Sequence, residues 1–214
     1  KRHHQLEKQV IQSADCVVVV SNDMVDEFAR LPHQRIEMIT NGFDTADVSG
    51  RALTPDSMFT ISHIGTLNAA RNPKTLWKVL GEISSADEKF RSDLKIQLIG
   101  KTDFSVLEDI EKFGLTPRLE KTEYLPHSEA NARQQTSQIL LLLINNTANA
   151  KGILTGKFFE YLSAGRPILA VGPVDGEVAK VLEDTQAGMI VDFEDEENTR
   201  KAVLDYYNSY KQGN

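Results

Sequence analysis

The chain has 214 residues, 40% of them hydrophobic and 26% charged, a balance that suits a globular fold of one to two domains with a buried core. With 24 Lys and Arg against 31 Asp and Glu the formal charge is −7, which argues against nonspecific nucleic-acid binding through phosphates but leaves room for one small anion at a local basic site. A single cysteine, Cys16, excludes an intrachain disulfide and a cysteine-rich metal site, and the longest apolar run, residues 139–144, is far short of the ~20 residues of a membrane span.

The chain opens without an initiator methionine, inside what reads as a polar helix, and shows no charged-then-apolar leader, so the expectation is a fragment of a longer protein in a reducing, cytoplasmic setting. Short apolar runs then alternate with amphipathic stretches. Strands are expected over residues 16–20, 36–39, 58–64, 94–99, 119–124, 138–145, 167–171 and 189–192, several of them apolar almost throughout, as suits a parallel sheet covered on both faces. Cys16, in a valine-rich run, reads as a buried small apolar residue. Pro73 opens a helix over 74–82, Asp103 caps 104–113 and Pro126 opens 127–135, proline suiting the first helical position because the amide it lacks has no intrahelical partner there. Gly114 and Gly165 follow 104–113 and 157–164 as helix stops, and 194–210 forms a long helix whose acidic start, 194–197, is solvated. Strand–helix–strand units repeated in this way imply right-handed crossovers and a doubly wound, mostly parallel, Rossmann-like α/β sheet. Gly50, Pro55 and polar neighbours mark 51–57 as a linker and put a boundary near 44–55; the two helices and two short strands before it are too few for an independent domain.

Ligands of open α/β sheets bind beyond the carboxyl ends of the strands, so the loops that follow strands are the places to search. After 58–64 comes Gly65-Thr66-Leu67-Asn68-Ala69-Ala70-Arg71-Asn72-Pro73-Lys74. Gly65 lets backbone approach a ligand, the amides entering the next helix form an anion site, and Arg71 or Lys74 adds charge; an ordinary turn with surface cations reads equally well. The loop 146–157 carries Gly152 and Gly156, then Lys157 at a helix start, and can present amides and an ammonium to phosphate oxygens. It is not a P-loop, because its glycines are too close and Phe158 follows Lys157; Gly100-Lys101-Thr102 lacks the upstream glycine, and G-x-G-x-x-G is absent. Glu160 lies among Phe158, Phe159, Tyr161 and Leu162, where a carboxylate needs either a partner such as vicinal ribose hydroxyls or an exposed place on an amphipathic helix. His63 reads as a lone structural hydrogen-bonder, no His, Asp and Glu cluster has metal-ligand spacing, and Asn145-Asn146-Thr147 matches a glycosylation acceptor but follows a core strand.

Two stretches together resemble a known family. Glu160-Tyr161-Leu162-Ser163-Ala164-Gly165-Arg166-Pro167-Ile168-Leu169-Ala170 resembles the E-x-[ML]-[AS]-x-G-x-P-[VI]-[VL]-A signature of family 4 glycosyltransferases, which have the GT-B architecture. Upstream, Ser13-Ala14-Asp15-Cys16-Val17-Val18-Val19-Val20-Ser21 and Ile36-Glu37-Met38-Ile39-Thr40-Asn41-Gly42-Phe43-Asp44 resemble that family's A-D-x-[VI]-x-x-x-S and I-x-N-G-x-D interdomain segment. The resemblance runs in order over essentially the whole chain. It implies transfer of a sugar from a nucleotide-diphosphate donor to an acceptor hydroxyl with retention, with no metal or other cofactor, between two facing Rossmann-like domains of which the C-terminal one binds the donor. Residues 45–214 would be that domain and 1–44 the end of the preceding one. The acceptor glycan or lipid-linked sugar would bind the absent N-terminal domain, and the whole enzyme would act in surface polysaccharide biosynthesis, in the cytoplasm or associated peripherally with the inner face of the membrane.

Carried over position by position, the resemblance makes Glu160 the ribose-binding glutamate and Gly65, Thr66 and Arg71 the loop that cradles the diphosphate, Thr66 standing where the family usually has arginine and Arg71 standing in for its lysine. Gly100-Lys101 and Tyr124-Leu125 correspond to the walls around the base, and Gly152, Ile153, Leu154 and Thr155 to the loop whose amides meet the distal phosphate and sugar. Position 152 is glycine where the family often has a second glutamate; Lys157-Phe158-Phe159-Glu160-Tyr161 resembles instead a subgroup reading K-[LIF]-[FY]-[ED]-Y, which lacks it. Arg71 and Lys157, with preorganised amides, would stabilise the charge that develops on the departing diphosphate. The alternatives are a sugar-nucleotide epimerase of the same architecture, which needs acid–base residues across the cleft, and a non-catalytic nucleotide-binding module.

Overall fold

The computed structural model describes residues 2–44 and 53–213; the expected boundary near 44–55 lies largely outside the described residues. The first part holds α1 (Arg2–Ser13), β1 (Val17–Val19), α2 (Asn22–Phe28) and β2 (Ile36–Met38), with β1 and β2 paired in parallel as a small sheet of their own. The second holds β3 (Phe59–Ile64), α3 (Lys74–Ala86), α4 (Glu88–Asp93), β4 (Leu94–Ile99), α5 (Phe104–Lys112), β5 (Leu119–Thr122), α6 (His127–Thr136), β6 (Ile139–Leu143), α7 (Gly156–Ser163), β7 (Ile168–Val171), α8 (Glu177–Thr185), β8 (Gly188–Val191) and α9 (Glu196–Lys211). Its six strands form one parallel sheet in the order β5-β4-β3-β6-β7-β8, a doubly wound α/β sheet as the apolar runs imply.

The central strands feed two cores. Phe59, Ile61, Leu141 and Leu169 point to one face, where they meet Trp77 and Leu80 of α3, Ile110 of α5 and Val203 and Tyr207 of α9. Ile64, Leu140, Leu142 and Ala170 point to the other and meet Phe158 and Tyr161 of α7 and Val178 and Leu182 of α8. Burial on both faces is what the continuous apolar runs of β6 and β7 require. All eight expected strands are present, most of them a residue or two shorter. Helix ends follow the local chemistry: Asp103 Oδ1 accepts from the Ser105 amide at the start of α5, and Gly114 and Gly165 take positive φ after α5 and α7.

Four readings are corrected. Pro73 and Pro126 occupy the capping positions of α3 and α6, one residue before the first helical position. Helix α8 went unread although Val178, Val181 and Leu182 have the i, i+3, i+4 spacing of a buried stripe, and α4 went unread although Asp87 caps it through the Phe90 amide. Cys16 is exposed rather than buried: the small sheet is covered on one side only, so Val19 is 1% exposed while Val18 is 57% exposed. No helix among the described residues is long and apolar enough to cross a membrane.

Two loop glycines lock the carboxyl ends of β3 and β4 together. Gly65 and Gly100 have φ of 131° and 118°, and a Cβ on Gly100 would sit 2.6 Å from the Gly65 carbonyl oxygen. Gly100→Ala therefore meets both backbone strain and a clash and is expected to cost at least about 2 kcal/mol in urea denaturation. An unchanged midpoint would show that the two loops are not in contact.

Candidate functional site

The strand order reverses between β3 and β6, and there the sheet opens. β3 stays paired with β4 from Phe59–Leu94 to Ile64–Ile99, but its ladder with β6 covers only Ile61–Ile139 and Ser62–Leu140. Two side chains take backbone groups that face the gap. Tyr161 Oη on α7 accepts from the Ile64 amide at 3.0 Å, and His63 Nδ1, which carries the proton in this arrangement, donates to the Leu141 carbonyl at 3.0 Å. The crevice is thus lined by a polar seam inside an apolar domain, at the position where doubly wound sheets hold ligands.

The loops above it are tied in series. The Gly65 amide donates to Ile99 O at 2.6 Å, the Gly100 amide to Thr122 O at 2.8 Å and the Leu67 amide to Lys101 O at 2.9 Å. Leu67 is buried as the anchor of the first loop, while Thr66 is exposed on its crest. The open side of Gly65 is filled by the end of the Lys157 side chain, since a Cβ there would overlap Lys157 Nζ. Glycine is needed at 65 both for its φ and for this approach.

Lys157 makes no hydrogen bond or ion pair among the described residues. Burial lowers its ammonium to about 8; nearby Glu160 opposes that fall and Arg71 adds to it. Arg71, at the end of the 3₁₀ turn Ala69–Arg71, donates through Nε to Asn145 Oδ1 at 2.5 Å, which fixes the guanidinium beside the end of β6. His63 is 1% exposed and is held neutral, its pKa brought down to about 4 chiefly by burial and then by the Lys157 charge, against the pull of the Leu141 and Thr66 backbone; Arg71 also opposes its protonation. Its Nε2 is buried without a partner. So is Thr155 Oγ1, which stands at the capping position of α7 yet bonds none of the first-turn amides. Among the described residues only Ser84 Oγ shares this condition, so unpaired buried side-chain polarity concentrates at this crevice.

The other expected site residues are distributed as follows. Glu160 is half-buried, one turn along α7 from Lys157, in a narrow notch with Phe43, Asn131, Gln134 and Ser163. Of the four residues expected to offer amides, Gly152 and Ile153 spend theirs on Asn149 O and Ala150 O inside a 3₁₀ turn, which leaves those of Leu154 and Thr155. Lys101 is exposed, Tyr124 is 81% exposed at the rim, and Leu125 packs against the core under α7. Arg71 also borders a cavity of about 520 Å³ with Asn72, Lys74, Asn146 and Glu194, whose lining includes neither Lys157 nor Glu160. Lys157 is thus the link between Arg71 and Glu160 through its charge, and of the expected base walls Gly100 and Lys101 meet the Gly65 loop while Tyr124 is exposed. Sequence reasoning missed Asn145 as the partner of Arg71, Tyr161 as the partner of β3, and Ser21 and Asn41, which hold the 149–155 loop from outside.

Two outcomes follow from the buried charges. At pH 7 Lys157 is protonated in folded and unfolded chains alike, and only the folded chain bears the cost of burying the ammonium. Lys157→Met is therefore expected to raise stability by about 1–3 kcal/mol in urea denaturation at pH 7, and a loss instead would mean that the ammonium is well solvated. For His63 the folded pKa lies below the ordinary 6.5, so above pH 6.5 neither state binds the proton, whereas between pH 6.5 and 4 only the unfolded chain does. Stability is expected to fall by up to about 3 kcal/mol as pH drops through that window, and His63→Gln should remove this component; an equal slope in both proteins would assign it elsewhere.

No protein-family model and no curated protein sequence matches the chain. Solved structures do match in fold. The chain is similar to sucrose-phosphate synthase from Thermosynechococcus elongatus (TM-score 0.72, 15% identity, 97% of this chain and 52% of that one). It is also similar to TarM of S. aureus in complex with fondaparinux, alpha-GlcNAc-glycerol and UDP (0.71, 13%, 97% and 40%). A third likeness is to WaaG, a glycosyltransferase involved in lipopolysaccharide biosynthesis (0.64, 14%, 91% and 56%). The chain spans about half the length of these structures, and what it shares with them is the fold of half a GT-B glycosyltransferase.

Proposed function

We propose that the chain is the donor-binding part of a glycosyltransferase, a retaining enzyme of family 4 in which residues 45–214 hold a nucleotide-diphosphate sugar for transfer to a hydroxyl presented from outside this chain. The observation that carries this reading is the pair of neighbouring cations at the switch-point crevice: the Lys157 ammonium, partly desolvated against Gly65 and without a partner among the described residues, close enough to Arg71 for the two to repel. Two like charges so placed repel, an anion between or upon them relieves that repulsion, and a diphosphate matches them in charge. The amides of Leu154 and Thr155 and the open start of α7 add to the same positive field. Glu160, on the same face of α7, supplies the acceptors for a pair of vicinal hydroxyls such as those of ribose.

In this reading the chemistry is leaving-group stabilisation. As the sugar–phosphate bond breaks, negative charge grows on the departing diphosphate, where Lys157, Arg71 and the fixed amides meet it without a metal ion. Gly65 lets the Lys157 ammonium lie against the loop backbone, beside the exposed Thr66. The UDP held by TarM supports a nucleotide diphosphate as ligand, and the role of WaaG supports a surface polysaccharide or lipid-linked sugar as acceptor.

Calorimetric titration of UDP and GDP tests the reading. Glu160→Ala is expected to weaken the preferred nucleotide by about 1.5–3 kcal/mol, the scale of hydrogen bonds to a charged group. Equal affinity in both proteins would remove Glu160 from the site, and failure of the unaltered chain to bind either nucleotide would overturn the donor assignment.

A further inference from the structure

The loop that offers the Leu154 and Thr155 amides is gripped from behind by the first part of the chain. Ser21 is fully buried; its Oγ donates to the Gly152 carbonyl at 2.9 Å while accepting from the Met24 amide as the cap of α2. Asn41 Nδ2 donates to the Leu154 carbonyl at 3.2 Å. Asp23, in the first turn of α2, packs so close to Gly152 that a Cβ there would lie 2.5 Å from its Oδ2, and Asn22 anchors the same turn on Glu177 of α8.

We infer that Ser21 and Asn41 are positioning residues for the anion site: by holding the carbonyls of Gly152 and Leu154 they set the direction in which the loop presents its amides. The reason lies in the peptide unit. Every peptide bond among the described residues is trans, and in a trans peptide the carbonyl and the following amide point in opposite directions. With Leu154 O turned outward to Asn41, the Thr155 amide must point away from Asn41, and it has no acceptor among the described residues. With Gly152 O held by Ser21, the Ile153 amide is likewise committed to the inside of the turn, where Ala150 O takes it. The side chain of Asn41 thus selects the amide that is left for a ligand without touching that ligand. Glycine at 152 belongs to the same device, because only a residue without a side chain lets α2 come near enough for Ser21 to reach.

This inference rests on the diphosphate reading above, and the test separates the two. Hydrogen exchange in the full chain is followed over 149–157 without ligand, and inorganic pyrophosphate is titrated by calorimetry. Ser21→Ala and Asn41→Asp, which keeps the shape but cannot donate, are expected to speed exchange of the Gly152 and Ile153 amides by about fivefold or more, and Ser21→Ala, which adds no charge, to weaken pyrophosphate by about 5- to 10-fold, the worth of one hydrogen bond. Ser21→Thr, which retains the hydroxyl, should restore both. Unchanged exchange in Ser21→Ala and Asn41→Asp overturns the inference, and so does faster exchange with undiminished pyrophosphate affinity. If the unaltered chain does not bind pyrophosphate, the diphosphate reading falls and with it the ligand role inferred for Ser21 and Asn41, while exchange still reports whether they hold the loop.

Discussion

A parallel sheet can accept a ligand at its rim only where two strands part, and strands that part inside a protein leave backbone groups that water cannot reach. Each such group left unpaired costs about 1–3 kcal/mol. Here the parting occurs between β3 and β6, and Tyr161 and His63 meet the cost. The bond from Tyr161 to Ile64 does more than fill a gap. Lys157, Glu160 and Tyr161 stand at i, i+3 and i+4 on α7 and so share one face of that helix. Fixing the Tyr161 hydroxyl on β3 fixes the rotation of the helix, and with it the ammonium over Gly65 and the carboxylate one turn away. The polar seam of the sheet and the charges of the site are one arrangement.

That arrangement runs against folding stability. Among the described residues an ammonium, a guanidinium and a neutral imidazole lie close together near the Glu160 carboxylate, and two hydrogen-bonding atoms, His63 Nε2 and Thr155 Oγ1, are buried without partners. A chain selected for stability alone would fill such a place with apolar side chains. The domain tolerates it because the rest is conventional: central strands buried on both faces, and an aromatic cluster in which Phe59, Phe90 and Tyr207 pack with ring centroids 4.8 to 5.9 Å apart. Local exceptions to otherwise consistent packing are where function is expected.

Strand positions were legible because burial on two faces writes itself as continuous apolar runs, of which 139–143 is the plainest. The exception, Cys16, shows the limit of that signal: four valines in a row look the same in a sheet covered on one side. Gly65, Arg71 and Lys157 could be singled out because each combines a chemistry with a place after a strand or at a helix start, and Glu160 because a carboxylate stands there among apolar neighbours. Their partners could not. Arg71 and Asn145 are 74 positions apart, Ser21 and Gly152 131, and nothing local in the chain marks such pairs. His63 reads as a structural hydrogen-bonder, but its backbone partner, Leu141 O, and its second nitrogen, under the Lys157 charge, are visible only in three dimensions.

The closeness of Asp23 to Gly152 ties together the histories of two distant positions. Were a glutamate to arise at 152, as many members of the resembled family have it, two carboxylates would be forced into one space, and the first turn of α2 would have to withdraw. A small or uncharged residue at 23 would relieve both the crowding and the repulsion. Residue 23 therefore limits which side chains position 152 can carry, although the two stand far apart in the chain.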